Sequence, residues 1–254
     1  MTAQPRNALV TGGAHRIGRA ISLGLAGAGY GVCIHHHASA AAARSLAGEI
    51  TAQGGRAEAI AADLSKEAES AQLIARAGDA IGPLDVLVNN AARFERDEID
   101  SATRDSWDRH MEVNLRAPFV LIQAFAGALP EGVAGNVVNI VDQRVRNLTP
   151  HFLSYTLSKA GLWTLTRTLA LALAPGVRVN AIAPGPVLAS PRQSADSFRR
   201  QAEATPLGRA VTPEEVAKGV LFVLEAGALT GQMITLDSGQ HLHWAAPGSP
   251  ETEE

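Results

Sequence analysis

The sequence predicts an α/β fold: a single doubly wound parallel sheet of about seven strands with helices on both faces. Three observations lead to this prediction. Short β-branched or apolar runs alternate with longer helical patterns along the chain, and a glycine-rich turn follows the first run directly. No linker rich in Pro, Ser or charge divides the 254 residues, so we expect one domain over 1–244 and a flexible acidic tail over 245–254.

The elements follow one another in strand–helix order. Strands are predicted at Ala8–Val10, Gly31–Ile34, Arg56–Ala61, Val86–Asn89, Asn136–Val141, Arg178–Ile182 and Met233–Leu236. Helices are predicted at Arg16–Ala28, Ala40–Gln53, Lys66–Ile81, Ser106–Leu129, Ser154–Leu173 and Pro213–Leu224. Such alternation implies right-handed crossovers, and it places ligand-binding residues at the carboxyl ends of the strands.

The composition limits the kinds of partner. A formal net charge of −3 gives no field that would attract nucleic acid or an anionic membrane. The one cysteine, Cys33, lies in an apolar run, so we expect a buried thiol and no disulfide framework. The segment before Val10 lacks the apolar core of a secretory signal, and threonine and arginine interrupt the longest apolar stretch, 161–174. We therefore expect a cytoplasmic protein with a small-molecule substrate.

The turn after the first strand predicts a nucleotide site. It reads Thr11-Gly12-Gly13-Ala14-His15-Arg16-Ile17-Gly18. Glycines let the backbone approach a pyrophosphate, which then lies on the N-terminus of the following helix. The expected contacts are Gly12, His15, Arg16, Ile17 and Gly18. A plain tight turn is the alternative, because a glycine-rich turn alone is a weak signal.

The end of the second strand indicates which nucleotide would bind. An NAD site has an acidic residue there, which binds the ribose 2′-hydroxyl, but no Asp or Glu occurs over 30–48. Without a carboxylate, a 2′-phosphate is not repelled, and Arg16, His37 and Ser39 can donate to it. We therefore predict that the cofactor is NADPH and that His36 also contacts it at the end of the second strand. The alternative role of Ser39 is to cap the helix that follows.

Three consecutive histidines could indicate a metal site instead. Neighbouring residues on a strand point to opposite faces, so His35, His36 and His37 cannot all converge on one ion. We predict no bound metal.

Tyr155 and Lys159 form a candidate proton-transfer pair. They lie four residues apart at the start of a predicted helix, so both side chains share one face. A phenol has a pKa of about 10 and is a poor acid–base group at neutral pH unless a neighbouring ammonium stabilises its anion. The chain has two tyrosines and three lysines, so chance rarely produces this spacing.

With these residues in place, the chain to about Trp244 resembles the short-chain dehydrogenase/reductases. The motifs that carry the resemblance occur in the family's order: Thr11-Gly12…Gly18, Asp63, Asn89-Asn90-Ala91, Asn114, Tyr155-x-x-x-Lys159, Pro184-Gly185 and Asp237-x-Gly239. The resemblance implies an oxidoreductase on a Rossmann domain, and a homotetramer. A subunit contact also fits helix Ser154–Leu173, which is apolar over most of its circumference.

The resemblance also implies a role for each motif. From adenine to nicotinamide, the implied cofactor contacts are Asp63, Leu64, Asn90, Ala91, Tyr155, Lys159, Pro184, Gly185 and Val187. Asn114 would hold a water that relays protons to Lys159. Read without the family, Asp63 could be a turn acid and Asn114 a helix residue that bonds its own backbone.

Three departures from the general family narrow the resemblance. Arg16 stands where the motif usually has Gly, and Asp142 stands where a Ser normally polarises the substrate carbonyl. After Asn89-Asn90-Ala91 the family often has Gly, whereas this chain continues with Ala92-Arg93-Phe94. All three resemble the pteridine reductase branch, in which the Arg bonds cofactor phosphate and reaches substrate, the aromatic stacks on the pterin, and the Asp works with the Tyr. One difference counts against a close match to this branch: Ala38 stands where some members have Arg beside the 2′-phosphate. Ser238 stands where Gly is common, and this difference neither favours nor opposes the assignment.

We therefore predict NADPH-dependent reduction of a pteridine C=N bond, because a flat polar heterocycle suits a slot between two π-faces. The expected catalytic residues are Asp142, Tyr155, Lys159 and Asn114, and the expected substrate contacts are Arg16, Phe94, Asp142 and Tyr155. Phe94 could instead be a core residue and Asp142 a turn residue. The alternative function is a short-chain carbonyl reductase acting on a 3-oxoacyl, sugar or alcohol substrate. A non-catalytic NADP(H) sensor is a third reading, but it would not need the Tyr–Lys pair.

Overall fold

Seven runs of small and β-branched residues form one parallel sheet in the computed structural model, which describes residues 6–190 and 192–242. The strands are Asn7–Val10 (β1), Gly31–His36 (β2), Arg56–Ala61 (β3), Val86–Asn89 (β4), Gly135–Ile140 (β5), Val177–Pro184 (β6) and Met233–Leu236 (β7). Their order is β3-β2-β1-β4-β5-β6-β7, and every neighbouring pair is parallel. The predicted doubly wound fold is confirmed.

The described helices are Arg16–Gly27 (α1), Ala40–Ala52 (α2), Glu67–Ile81 (α3), Arg104–Met111 (α4), Ala117–Ala128 (α5), Leu153–Ala172 (α6), Ala195–Glu203 (α7) and Pro213–Glu225 (α8). Three of them, α4, α5 and α7, differ from the sequence-based prediction. The helix expected over Ser106–Leu129 is divided by a π-helical turn, Glu112–Arg116, which separates α4 from α5. Helix α7 was not predicted, because it is short and mostly polar, with apolar residues only at Ala195, Phe198 and Ala202; Ser194 caps its N-terminus by accepting from the Ser197 N–H.

The core lies on both faces of the sheet. Every residue of β1, β2 and β4 is buried, as expected for strands that helices cover on both sides. Val10 and Ile34 pack on the face covered by α1, α2 and α8, whereas Leu9 and Cys33, one residue earlier on each strand, pack on the face covered by α3 and α5. Burial raises the pKa of the Cys33 thiol to about 12, so it remains protonated at neutral pH.

The topology decides where a ligand can bind. From β1 the chain crosses over to β2 and β3 on one side, and it then returns to β4 on the other side of β1. This reversal of strand order opens a crevice beyond the carboxyl end of β1. The turns after β1, β4, β5 and β6 all reach this edge.

The ends of the chain lie outside the described residues. These include Trp244, taken as the last residue of the domain, and the acidic tail expected over 245–254. No helix in the described part of the chain is long and apolar enough to cross a membrane.

Candidate active site

A cleft of about 220 Å³ opens at this edge of the sheet. Of the predicted site residues it brings together Arg16, Ile17, Asn90, Phe94, Asp142, Tyr155, Lys159, Pro184, Gly185 and Val187. The segment after β6 and the unpredicted helix α7 form its outer wall through Leu188 and Phe198.

Asp142 and Tyr155 are hydrogen-bonded at the base of the cleft. Tyr155 Oη donates to Asp142 Oδ2 at 2.8 Å. Asp142 Oδ1 accepts the Arg144 N–H at 2.8 Å, so Asp142 also begins a short 3₁₀ turn after β5, the alternative role expected of it. Burial and the Asp142 carboxylate raise the pKa of Tyr155 above its usual range. Tyr155 is therefore a neutral phenol whose hydroxyl points at Asp142.

Lys159 lies one helical turn further along α6 and is only 2% exposed. Its ammonium donates to Ile140 O at 2.7 Å and lies 6.0 Å from the centroid of the Tyr155 ring. Burial lowers the pKa of Lys159 to about 8, against the attraction of Asp142. The charge that acts most strongly on the phenol is the Asp142 carboxylate, which disfavours the phenolate.

Phe94 belongs to an aromatic cluster at the cleft wall. Its ring is stacked on Phe152, with centroids 4.6 Å apart and an interplanar angle of 2°. It also meets the ring of Tyr155 edge-on at 4.7 Å. Phe94 is half-buried and lines the cleft, so it is not a residue of the sheet core.

A buried hydrogen-bond network, which sequence reasoning missed, positions Phe94 and Tyr155. His110 is fully buried; its Nε2 accepts the Glu95 N–H at 3.1 Å, and its Nδ1 lies 2.6 Å from Ser154 Oγ. Ser154 Oγ in turn donates to Asp97, whose other carboxylate oxygen accepts the Ser154 N–H at 3.1 Å. Burial lowers the pKa of His110, which favours the neutral ring that this pattern needs. The network ties the segment after β4 to the start of α6.

Asn114 stabilises the same segment. The π-helical turn directs its carboxamide at Arg93, where it accepts the N–H at 2.7 Å and donates to the carbonyl at 2.9 Å. It also donates to Ser158 Oγ at 3.0 Å. Asn114 bonds a neighbouring segment, not its own helix backbone.

Arg16 lines the cleft and is bonded to the segment that follows β6. Its guanidinium donates to Leu188 O at 2.9 Å and to Ala189 O at 3.0 Å, in the segment after β6. Since β6 is four strands away from β2, these contacts lie at a distance from the end of β2, and the role of Arg16 at the 2′-phosphate stays a prediction. The φ of Arg16 is +52°, in the left-handed region, which gives a physical reason for a glycine at this position elsewhere in the family.

The glycine-rich turn fits a pyrophosphate. Gly12 has a φ of +60°, and a Cβ on Gly18 would lie 2.1 Å from Gly12 O, so neither position accepts a side chain without rearrangement. Helix α1 begins after His15, with no side-chain cap and no acidic residue in its first turn. Its terminal N–H groups are therefore available to an anion. Asn90 supports the turn by donating to Thr11 O at 2.9 Å.

His35 holds this turn in place, another role that the sequence analysis missed. The Gly12 N–H donates to His35 Nδ1 at 3.0 Å, and Nε2 donates to Ala62 O at 3.1 Å. Burial lowers the pKa of His35 to about 4, so the ring is neutral and can accept the Gly12 N–H. The signal was available, because strand alternation separates His35 from His36.

The remaining predicted residues surround the end of β2. His37 is exposed, with Nε2 at 3.8 Å from Asp63 Oδ2, whereas His36 is buried. Asp63 accepts from the N–H and the hydroxyl of Ser65, as a turn acid does. Ser39 stands at the N-cap of α2 without a side-chain capping bond, so its predicted capping interaction is not formed.

Three further residues complete this region. Leu64 is buried and Ala91 is half-buried. Lys66, which sequence reasoning left out, has Nζ at 3.8 Å from Asp63 Oδ2. Among the residues that the structure describes, no group of three or more His, Cys, Asp and Glu could hold a metal ion.

The fold and the cleft together define the class of protein. Residues 12–241 match the family described as enoyl-(acyl carrier protein) reductase. The chain is 35% identical to a short-chain dehydrogenase/reductase of Armillaria gallica over 93% of this chain and 96% of that one. It belongs to the short-chain dehydrogenase/reductase family, as the sequence motifs predicted.

Further relatives show which branch of the family this chain resembles. FolM alternative dihydrofolate reductase 1 of Brucella canis, solved with NADP, is 48% identical, covers 96% of each chain and superposes with a TM-score of 0.93. A 3-oxoacyl-[acyl-carrier-protein] reductase of Synechocystis is 33% identical over 94% of this chain and 97% of that one. The resemblance to the pteridine reductase branch, predicted from Arg16, Phe94 and Asp142, is confirmed.

Proposed function

We propose that this protein reduces the C=N bond of a dihydropterin or dihydrofolate with NADPH. The observation that carries the proposal is the hydrogen bond from Tyr155 to Asp142 beside Phe94. A serine hydroxyl at position 142 could donate to a developing alkoxide, whereas an ionised carboxylate would repel it. Reduction of a pterin instead adds a proton to a ring nitrogen, which Tyr155, oriented by Asp142, can supply.

The cofactor, when bound, supplies the hydride. We assign its pyrophosphate to the glycine turn, its adenosine to the end of β2 and its nicotinamide to the cleft, with the contacts Gly12, His15, Arg16, Ile17, Gly18, His36, His37, Ser39, Asp63, Leu64, Asn90, Ala91, Tyr155, Lys159, Pro184, Gly185 and Val187. Lys159 would hold the nicotinamide ribose and keep a positive charge beside the proton path. The role of Asn114 stays a proposal: it would hold a water that relays protons to Lys159.

We predict a strong preference for NADPH over NADH. His37 and Ser39 lie at the end of β2 with no carboxylate in that stretch, and Lys66 is close by. Two charge-assisted contacts of about 1.5–3 kcal/mol each give roughly 10²-fold or more in kcat/KM. Ser39→Asp should reduce or invert this ratio, since Asp is a good N-cap for α2 but repels the 2′-phosphate. Comparable kcat/KM for both cofactors in the wild type would contradict the assignment.

The function is tested by a substrate panel with NADPH. We expect 7,8-dihydrobiopterin or dihydrofolate to be reduced with a higher kcat/KM than 3-oxoacyl thioesters, simple ketones or sugars. The 3-oxoacyl arm is included because relatives at about one-third identity carry that name. Faster turnover of a 3-oxoacyl thioester would make the protein a carbonyl reductase.

Phe94→Ala should weaken pterin reduction while it leaves the nucleotide bound. Loss of the ring that faces the heterocycle costs about 1–3 kcal/mol in pterin kcat/KM, the scale of base–aromatic stacking. The Kd for NADPH should stay near the wild-type value. Phe94→Tyr, which keeps the π-face, is the matched control. If Phe94→Ala lowers the Tm but not the pterin kcat/KM, Phe94 acts only through its packing on Phe152.

We also propose a homotetramer in the cytoplasm. A groove between α5 and α6 is lined by apolar side chains, including Leu115, Phe119 and Leu165, and a second copy of the chain would cover it. The cytoplasm supplies NADPH and keeps a thiol such as Cys33 reduced.

A further inference from the structure

One buried polar side chain in the cleft has a group that the protein itself does not satisfy. Six described side chains contain a buried oxygen without a hydrogen-bond partner: Asn89, Asn136, Gln143, Thr156, Thr235 and Ser238. Of these six, Gln143 alone lines the cleft. It follows Asp142 directly, and the residue is only 4% exposed. Since buried polar groups in folded proteins are almost always hydrogen-bonded, its carboxamide needs a partner from outside the chain.

The local fold does not need this carboxamide. The 3₁₀ turn after β5 is held by backbone groups and by Asp142: Gln143 O accepts the N–H groups of Arg146 at 2.8 Å and Asn147 at 3.1 Å. Two charged groups of the cleft, in contrast, have partners within the protein. Arg16 donates to the segment after β6, and Asp142 accepts from Tyr155.

We propose that Gln143 is a specificity residue whose carboxamide binds the lactam edge of the pterin. The inference rests on the proposed function, because it uses the orientation that the proton transfer requires. On a pterin, the ring nitrogen N5, which gains the proton, lies next to the C4 carbonyl, and the N3–H follows. If N5 faces Tyr155, the lactam therefore lies towards the residues beside Asp142.

The two groups are complementary. A lactam presents a carbonyl acceptor and an N–H donor side by side, and a primary carboxamide offers the matching donor and acceptor. Rotation of the carboxamide by 180° exchanges its oxygen and nitrogen, so both pairings are open to Gln143. A ketone substrate offers no such edge. Gln143 would thus select the heterocycle, and Asp142 with Tyr155 would act on it.

The test is Gln143→Leu, which keeps the size of the side chain and removes its polar atoms. We expect the KM for 7,8-dihydrobiopterin, and its Kd for the enzyme–NADP⁺ complex, to rise about 10- to 100-fold, roughly tenfold for each lost hydrogen bond. The Kd for NADPH should not change. The Tm should stay equal or rise, because a buried oxygen without a partner has been removed. A cyclic imine without a lactam, 3,4-dihydroisoquinoline, should react equally with both enzymes.

Thr235→Val is the matched control, since it removes another unpartnered buried oxygen, on β7, and Thr235 does not line the cleft. It should leave the pterin KM unchanged. A lower Tm with an unchanged pterin Kd in Gln143→Leu would make Gln143 structural, and a weaker NADPH Kd would assign its carboxamide to the cofactor. Calorimetry on the enzyme–NADP⁺ complex needs no turnover. Pterin binding that depends on Gln143 but leads to no reduction would therefore refute the proposed function and keep this inference.

Discussion

Asp142→Asn is expected to lower kcat for dihydropterin reduction by about 10²–10⁴-fold, the range of a lost acid–base contribution. The substitution keeps the shape of the side chain. However, it removes a group that can take up or release a proton beside the Tyr155 hydroxyl, to which Asp142 is hydrogen-bonded at 2.8 Å. The Kd for NADPH should stay near the wild-type value. Single-turnover reduction of 7,8-dihydrobiopterin with saturating NADPH measures the effect.

Asp142→Ser separates pterin chemistry from carbonyl chemistry. It should impair pterin reduction as well, but leave or raise a slow activity on an activated ketone, because a hydroxyl can stabilise an alkoxide. Tyr155→Phe should abolish both activities. If Asp142→Ser keeps full pterin turnover, Asp142 is outside the proton path and the substrate assignment loses its main support.

Lys159→Met is expected to lower kcat/KM by at least about 10²-fold and to change its pH dependence. The Lys159 ammonium has a pKa of about 8 because it is buried, so the wild type should lose activity as the pH rises through that value. The variant has no such group and should show a low profile without that decline. Kinetics across this range test the prediction. Lys218→Met, at an exposed lysine on α8, is the control and should retain the wild-type profile.

Lys159 should also make the stability of the protein rise with pH, whereas it makes the activity fall. Its pKa is about 8 in the folded protein and 10.5 without burial. Between these values the unfolded chain binds more protons, so the free energy of unfolding that depends on Lys159 rises with pH. The cost of the buried charge is complete below about 8 and disappears above the unfolded value. Between about pH 7 and about pH 9.5, the free energy of unfolding measured by denaturation should rise more in the wild type than in Lys159→Met.

The centre of the sheet could be predicted because β1, β2 and β4 are buried on both faces and so have largely apolar sequences. The predicted bounds of β3, β4 and β7 agree with the structure. The division of Ser106–Leu129 could not be predicted, because the π-helical turn inserts a residue without interrupting the apolar pattern. Helix α7 has only three apolar residues, Ala195, Phe198 and Ala202, so its pattern is too short to stand out beside its N-cap.

The site could be predicted where chemistry restricts the residue type. Tyr155, Lys159 and Asp142 belong to this group, and the structure brings all three to one cleft. The position of Arg16 could not be read from sequence, because its partners, the carbonyls of Leu188 and Ala189, lie far away along the chain. The roles of His35 and His110 depend on partners far away in sequence.

The contacts of Arg16 have an evolutionary consequence. Its guanidinium binds the main-chain carbonyls of Leu188 and Ala189, which every amino acid possesses. Mutations at these two positions therefore leave the attachment intact while they change the apolar surface that Leu188 presents to the cleft. The side chains of this segment can therefore change while the two hydrogen bonds from Arg16 keep the segment in place.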